Sequence, residues 1–219
     1  MPVSRETPDP PDIARRVFGS ALPTAVRYAD WLSDAGVVRG LLGPREAPRL
    51  WERHLVNCAL LADGIGTGET VADVGSGAGL PGLVLALCRP DLRTTLIEPL
   101  QRRAEFLSEV VVDLELDVEV LRARAEDVAG GRVFDSVVSR AVAPLPKLLG
   151  WCLPLVRPGG QVLAMKGASA ERELAGAQPA LRRLRARSAA GHAEVVRFGI
   201  HITHPPTTAI RVARPGGRD

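Results

Sequence analysis

Val71-Ala72-Asp73-Val74-Gly75-Ser76-Gly77-Ala78-Gly79-Leu80-Pro81-Gly82 joins a short apolar strand to a glycine-built loop and then opens a helix. Three glycines at alternate positions let the backbone approach a ligand closely, tolerate positive φ and leave amide N–H groups to point outward. A tight turn with no ligand would not need all three, because each glycine costs chain entropy that packing alone does not demand. Pro81 suits the start of a helix over Leu80 to Arg89, where its missing N–H has no intrahelical partner. The stretch predicts a cofactor-binding turn between a strand and a helix.

Two cofactors compete for such a turn. Gly77-Ala78-Gly79-Leu80-Pro81-Gly82 satisfies the dinucleotide pattern G-x-G-x-x-G, and Glu98 follows at about the offset of a ribose-binding acid. The fuller pattern is an acid followed by three alternating glycines, Asp73 to Gly79, with a second strand Thr94-Thr95-Leu96-Ile97 ending in Glu98. It resembles the S-adenosylmethionine (SAM) loop of class I methyltransferases. That resemblance implies that the cofactor's methionine part lies along the glycines and that Glu98 takes both ribose hydroxyls. Hydride transfer finds little support elsewhere: the lone tyrosine, Tyr28, is expected far from the loop, and the lysines, Lys147 and Lys166, form no Tyr-x-x-x-Lys pair.

With 219 residues, 46% of them hydrophobic, the chain can bury one sizeable core and a small appendage. No apolar run approaches the ~20 residues that span a bilayer, and the start Met1-Pro2-Val3-Ser4-Arg5-Glu6 lacks a signal peptide's sections, so a cytoplasmic protein is expected. Cys58, Cys88 and Cys152 are widely separated among apolar residues, which reads as buried thiols and neither a disulfide framework nor a metal site. The net charge of +3 is uneven: Lys and Arg outnumber Asp and Glu 10 to 4 over residues 166–219, largely through Arg182, Arg183, Arg185 and Arg187. Such a cluster fits phosphate contact or a solvated helix face.

Along the chain, proline-rich residues 1–12 read as a mobile tail and 13–66 as a helical extension, with Trp51, Leu55, Cys58 and Leu61 on one stripe. Over 67–219, strands are expected near 70–74, 93–97, 117–121, 134–138 and 161–165, and helices near 80–89, 99–114 and 143–155. Alternation of this kind implies a parallel sheet covered on both faces. A helix from Ser169 to Arg187 then leads to strands near 193–202 and 208–213, an antiparallel hairpin at the sheet edge. Ligands of such folds sit beyond the C-terminal strand ends, where Asp73, Glu98, Ala125-Glu126-Asp127, Ser139-Arg140-Ala141 and Lys166-Gly167 converge.

With these residues placed, the chain resembles the bacterial small-subunit ribosomal RNA methyltransferase G family, also called the glucose-inhibited division protein B family. The likeness rests on Asp73 to Gly82, on Leu96-Ile97-Glu98-Pro99-Leu100-Gln101-Arg102-Arg103 with Phe106-Leu107, on Ser139-Arg140-Ala141, on Met165-Lys166-Gly167 and on Arg53-His54-Leu55. It implies a Rossmann-like class I fold with a mostly parallel seven-stranded sheet. It further implies SAM-dependent methylation of N7 of one guanosine of 16S rRNA (guanine-527 in the usual numbering) near the decoding centre of the small ribosomal subunit. By the same resemblance Gly75, Leu80, Ala125, Glu126 and Arg140 touch the cofactor, beside Asp73, Gly77, Gly79 and Glu98 of the turn and second strand. Arg53, His54, Arg102, Arg103, Lys166, Arg182 and Arg183 are candidate RNA contacts on a monomer that needs no metal. The family often has Asn-Leu-Thr where this chain has Gly40-Leu41-Leu42, and Glu98-Pro99 stands for a commoner Asp-Ser. Guanine N7 carries an in-plane lone pair and no proton, so no general base and no covalent catalyst are expected. A small-molecule methyltransferase and a non-catalytic ribosome-assembly factor are the alternatives.

Overall fold

The computed structural model describes residues 7–43, 45–187 and 189–216. Residues 1–6 of the expected tail lie outside these. The rest of that tail is tied down: the Pro8 carbonyl accepts a hydrogen bond of 2.6 Å from the Trp51 indole, and Asp12 already begins a helix. The extension comprises α1 (Asp12–Phe18), α2 (Leu22–Trp31), which runs on into a π-helical turn Leu32–Gly36, and a second helical rod. That rod is π-helical over Leu50–Val56, α-helical in α3 (Asn57–Ala59) and tightens to 3₁₀ over Leu60–Gly64.

The sheet then alternates with helices: β1 (Thr70–Val74), α4 (Gly82–Cys88), β2 (Arg93–Ile97), α5 (Gln101–Asp113), β3 (Val118–Leu121), α6 (Ala125–Val128), β4 (Phe134–Arg140), α7 (Leu145–Cys152) and β5 (Val156–Lys166). Two short helices, α8 (Ala170–Gly176) and α9 (Gln178–Ala186), precede the hairpin β6 (Ala193–Phe198) and β7 (Thr207–Ala213). The strands lie in the order β3-β2-β1-β4-β5-β7-β6. The first five are parallel, and β7 runs antiparallel to both neighbours. The order reverses between β1 and β4, which is the switch point where open α/β sheets bind ligands.

The central strands are largely buried on both faces, and buried polar residues, Asp73 in β1, Thr94 and Thr95 in β2 and Ser136 and Ser139 in β4, interrupt the apolar runs such strands usually show. One hydrophobic cluster packs the extension, through Tyr28, Leu32, Leu55 and Leu61, against Leu83, Leu85, Phe106 and Leu107. A second lies on the opposite face under α7 and α9, with Leu145, Leu149, Val162, Leu181 and Ile210. Helix α4 has no polar face because it is enclosed between the extension and the sheet. Four boundaries differ from the sequence reading, and one is the strand expected over 193–202, which ends at Phe198 before Gly199 turns the chain at φ +66°. Pro81 caps α4 from outside instead of opening it. The helix expected over Ser169 to Arg187 breaks at Ala177, with Pro179 in the first turn of α9. Strand β5 begins at Val156, continuing through Pro158-Gly159-Gly160, a run that reads as a chain breaker.

Candidate functional site

The C-terminal ends of β1, β2, β3 and β4 enclose a cavity of about 850 Å³. The glycine turn forms its floor. Gly75, Gly77 and Gly79 have φ of +73°, +59° and +96°, the left-handed region open to glycine. The amides of the three glycines do not point outward. Gly75 N–H donates to the Ile97 carbonyl at 2.8 Å and Gly79 N–H to the Ser76 carbonyl at 2.7 Å, while Gly77 N–H donates to Glu98 Oε2 at 2.9 Å.

Glu98 closes β2 on the cavity wall with its side chain 2% exposed. Its second oxygen accepts from Leu100 N–H at 3.0 Å, so two backbone amides aim the carboxylate. A carboxylate has about four acceptor sites, which leaves capacity for a vicinal diol. Beyond it the cavity passes Arg103 and the short helix α6, with Ala125, Glu126 and Asp127 on the wall.

Arg140 reaches the cavity from the end of β4. Its guanidinium donates to Cys58 Sγ at 3.3 Å and to His54 Nδ1. Since Nδ1 accepts, the proton of neutral His54 sits on Nε2 and is donated to Glu46 Oε2 at 2.8 Å. Burial pushes the His54 pKa down to about 4, Arg140's charge adds to this, and Glu46 opposes it. Among the described residues Arg140 has no carboxylate within ion-pair distance, so two neutral side chains hold it and its charge stays available to the cavity. Ala141, the next residue, has φ +54°, a strained conformation for a residue with a β-carbon, and also lines the cavity.

Gly75, Gly77, Leu80, Glu98, Ala125, Glu126 and Arg140 thus share one wall system. Asp73 and Gly79 do not line it. Asp73 is fully buried, and its Oδ2 accepts from Gly82 N–H at 2.9 Å, fastening β1 to the start of α4. Its Oδ1 finds no partner, and burial pushes its pKa up to about 7. Gly79 faces backward, where a β-carbon would meet Leu83 at 2.4 Å and the Tyr28 hydroxyl at 2.8 Å.

The candidate RNA contacts divide. Arg103 and His54 reach the cavity, but His54 is buried as the link between Glu46 and Arg140. Arg102 is exposed on α5 outside the cavity wall. Arg53 and Lys166 line a neighbouring cavity of about 650 Å³ with Arg49 and Arg197, and Lys166 is spent on the Ala143 carbonyl and Glu173. Arg182 and Arg183 are not brought near either cavity. Helix α9 runs from the crevice side of the sheet toward the far edge, where Arg185 donates to the Gly191 carbonyl at 2.9 Å and Gly191 N–H bonds Ala213 at the end of β7. Leu41 and Leu42, standing at the family's Asn-Leu-Thr, do line the main cavity. Sequence reasoning missed Glu46, Cys58, Val142 and Trp151. It also set Tyr28 far from the turn, whereas the fold packs α2 against it and the Tyr28 hydroxyl donates to the Ala78 carbonyl at 2.7 Å.

The sheet order and the crevice are those of a class I SAM-dependent methyltransferase. Solved structures carry the same fold: a SAM-dependent O-methyltransferase from Thermotoga maritima (TM-score 0.54, 15% identity, covering 74% of this chain and 66% of that one), and a predicted O-methyltransferase from Agrobacterium tumefaciens (TM-score 0.53, 20% identity, 74% and 81%). The family model for rRNA small subunit methyltransferase G matches residues 21–193, and the chain belongs to that family. Curated relatives named ribosomal RNA small subunit methyltransferase G include one from a Nocardioides species, 58% identical over 98% of this chain and 86% of its own. Another, from Thermobifida fusca, is 56% identical over 93% and 84%.

Proposed function

We propose that the chain takes a methyl group from SAM and places it on N7 of one guanosine of 16S rRNA near the decoding centre of the small ribosomal subunit, as a cytoplasmic monomer. The internal use of the loop amides carries the choice of cofactor. A dinucleotide's pyrophosphate needs free backbone N–H groups at a helix N-terminus. Here Asp73 holds the Gly82 amide at the start of α4, and the amides of Gly75, Gly77 and Gly79 are bonded within the protein. A site whose three glycine N–H groups are spent and which has a carboxylate on its wall suits a cationic ligand better than a phosphate.

SAM, when bound, would supply an electrophilic sulfonium methyl group. Glu98 would hold the ribose hydroxyls, Ala125 and Glu126 the adenine end, and Arg140 the carboxylate of the methionine part. The guanine N7 lone pair needs no activation by a base. The chain's contribution is therefore to orient the base in line with the transferred group and to exclude water from the crevice. The names of the relatives support the rRNA half of the reading, and Arg103 on the crevice wall and Arg53 in the neighbouring cavity are proposed to steer the strand. Calorimetry with SAM and NAD(H) tests the cofactor, and mass mapping of 16S rRNA from cells lacking the protein tests the substrate. SAM binding without NAD(H) binding and the loss of a single N7-methylguanosine are expected; an unchanged map would reject the substrate assignment.

A further inference from the structure

The glycine turn is soft by composition, with three positive-φ glycines in five residues, yet it is held at two adjacent residues from opposite sides. On the cavity side Glu98 takes the Gly77 N–H at 2.9 Å. On the other side the Tyr28 hydroxyl, on α2 of the helical extension, donates to the Ala78 carbonyl at 2.7 Å. Tyr28 is fully buried, so no water replaces that bond if it is lost. Gly79 is what lets the phenol in, since a β-carbon there would sit 2.8 Å from the hydroxyl. Ala78 itself lines the cavity, as do Leu41 and Leu42, which follow Tyr28 in the same extension.

We infer that Tyr28 is a positioning residue for the cofactor turn: its hydroxyl fixes the Ala78 peptide so that the turn is preset for SAM before SAM arrives. The inference rests on the reading of the cavity as a SAM site. Without the hydroxyl, Ala78 O is left unpaired and the glycines are free to sample other conformations. Binding then has to order the turn as well as occupy it, which lowers affinity.

The test is Tyr28→Phe, which keeps the ring and removes the hydroxyl. Calorimetry should show SAM affinity weakened by between about twofold and tenfold, the range of one neutral hydrogen bond. Affinity for a 16S rRNA fragment measured without SAM should be unchanged. A lowered Tm with unchanged SAM affinity would make the hydroxyl a structural bond only and overturn the inference. Hydrogen exchange on the unaltered protein gives a second reading that needs no variant: coupling is reciprocal, so SAM should raise protection in α2 around Tyr28 as well as in the turn. Protection rising in the turn alone would also overturn it. Failure of the unaltered protein to bind SAM is a different result, and sinks the methyltransferase reading itself.

Discussion

Asp73 and His54 are buried ionisable groups shifted in opposite senses, and the sequence offers no hint of either shift because both come from burial. Asp73 is pushed up to about 7 from 3.8, so between those values the folded chain keeps a proton that the unfolded chain has lost, and stability falls as pH rises. His54 is pushed down to about 4 from 6.5, so in that window the unfolded chain binds the extra proton and stability rises with pH. From about pH 5 to 6.5 the two slopes, each worth about 2 kcal/mol, oppose one another. Asp73→Asn should therefore gain stability across that range and His54→Gln should lose it, with the unaltered protein between them. Urea midpoints at the two pH values measure this, and parallel behaviour of all three would refute the assignment. The glycines separate in the same way. Gly77→Ala meets nothing closer than 3.9 Å, so it should stay folded at a strain cost of about 1–2 kcal/mol and bind SAM more weakly. Gly79→Ala, which would drive a β-carbon to 2.4 Å from Leu83, should not accumulate as folded protein. Soluble yield, Tm and SAM calorimetry distinguish the two.

Helix α9 carries Arg182, Arg183 and Arg185 of the C-terminal cluster, but it stands at the edge of the sheet away from the crevice. Arg182→Ala with Arg183→Ala should leave rRNA methylation within about twofold of the parent. Removing Arg103, on the cavity wall, should weaken RNA binding and reduce its salt slope by roughly 0.7–0.9 per lost phosphate contact. A lowered salt slope in the α9 variant would return that helix to the RNA-binding surface. This placement could not be read from the chain, because it depends on the direction in which α8 and α9 retrace the sheet. The strands were legible because each is a short stretch between turn-forming segments that alternates with a helical pattern, even though β1 carries Asp73 and β2 carries Thr94 and Thr95. The extension was legible as helical, and the stripe Trp51, Leu55, Cys58 and Leu61 read from its spacing is buried; its π-helical stretches over Leu32–Gly36 and Leu50–Val56 were not legible in that spacing. Glu98 and Arg140 were legible at strand ends, whereas Glu46, Cys58 and Tyr28 reach the site only through contacts 50 to 86 residues away in sequence or through a partner that makes one.

At the scale of the whole molecule the helical extension and the sheet share one apolar cluster, in which Phe18, Tyr28, Leu32, Leu55 and Leu61 pack with Leu83, Leu85, Leu107 and Leu163. The cofactor cavity is likewise built from both parts, with Leu41, Leu42 and His54 from the extension and the turn, Glu98 and Arg140 from the sheet. Although 13–66 and 67–219 differ in composition, neither part keeps its buried face covered without the other, since α4 would expose Leu83, Leu85 and Leu87 to water. The protein should therefore unfold in a single calorimetric transition, and a chain lacking 13–66 should fail to give soluble folded protein. Ligand linkage sharpens the test. SAM at a hundred times its Kd adds about 2.7 kcal/mol, which for a chain of this length raises Tm by roughly 5–10 °C, and the whole transition should move together. Two resolved transitions, of which SAM shifts one alone, would show instead that the extension is a separate folding unit.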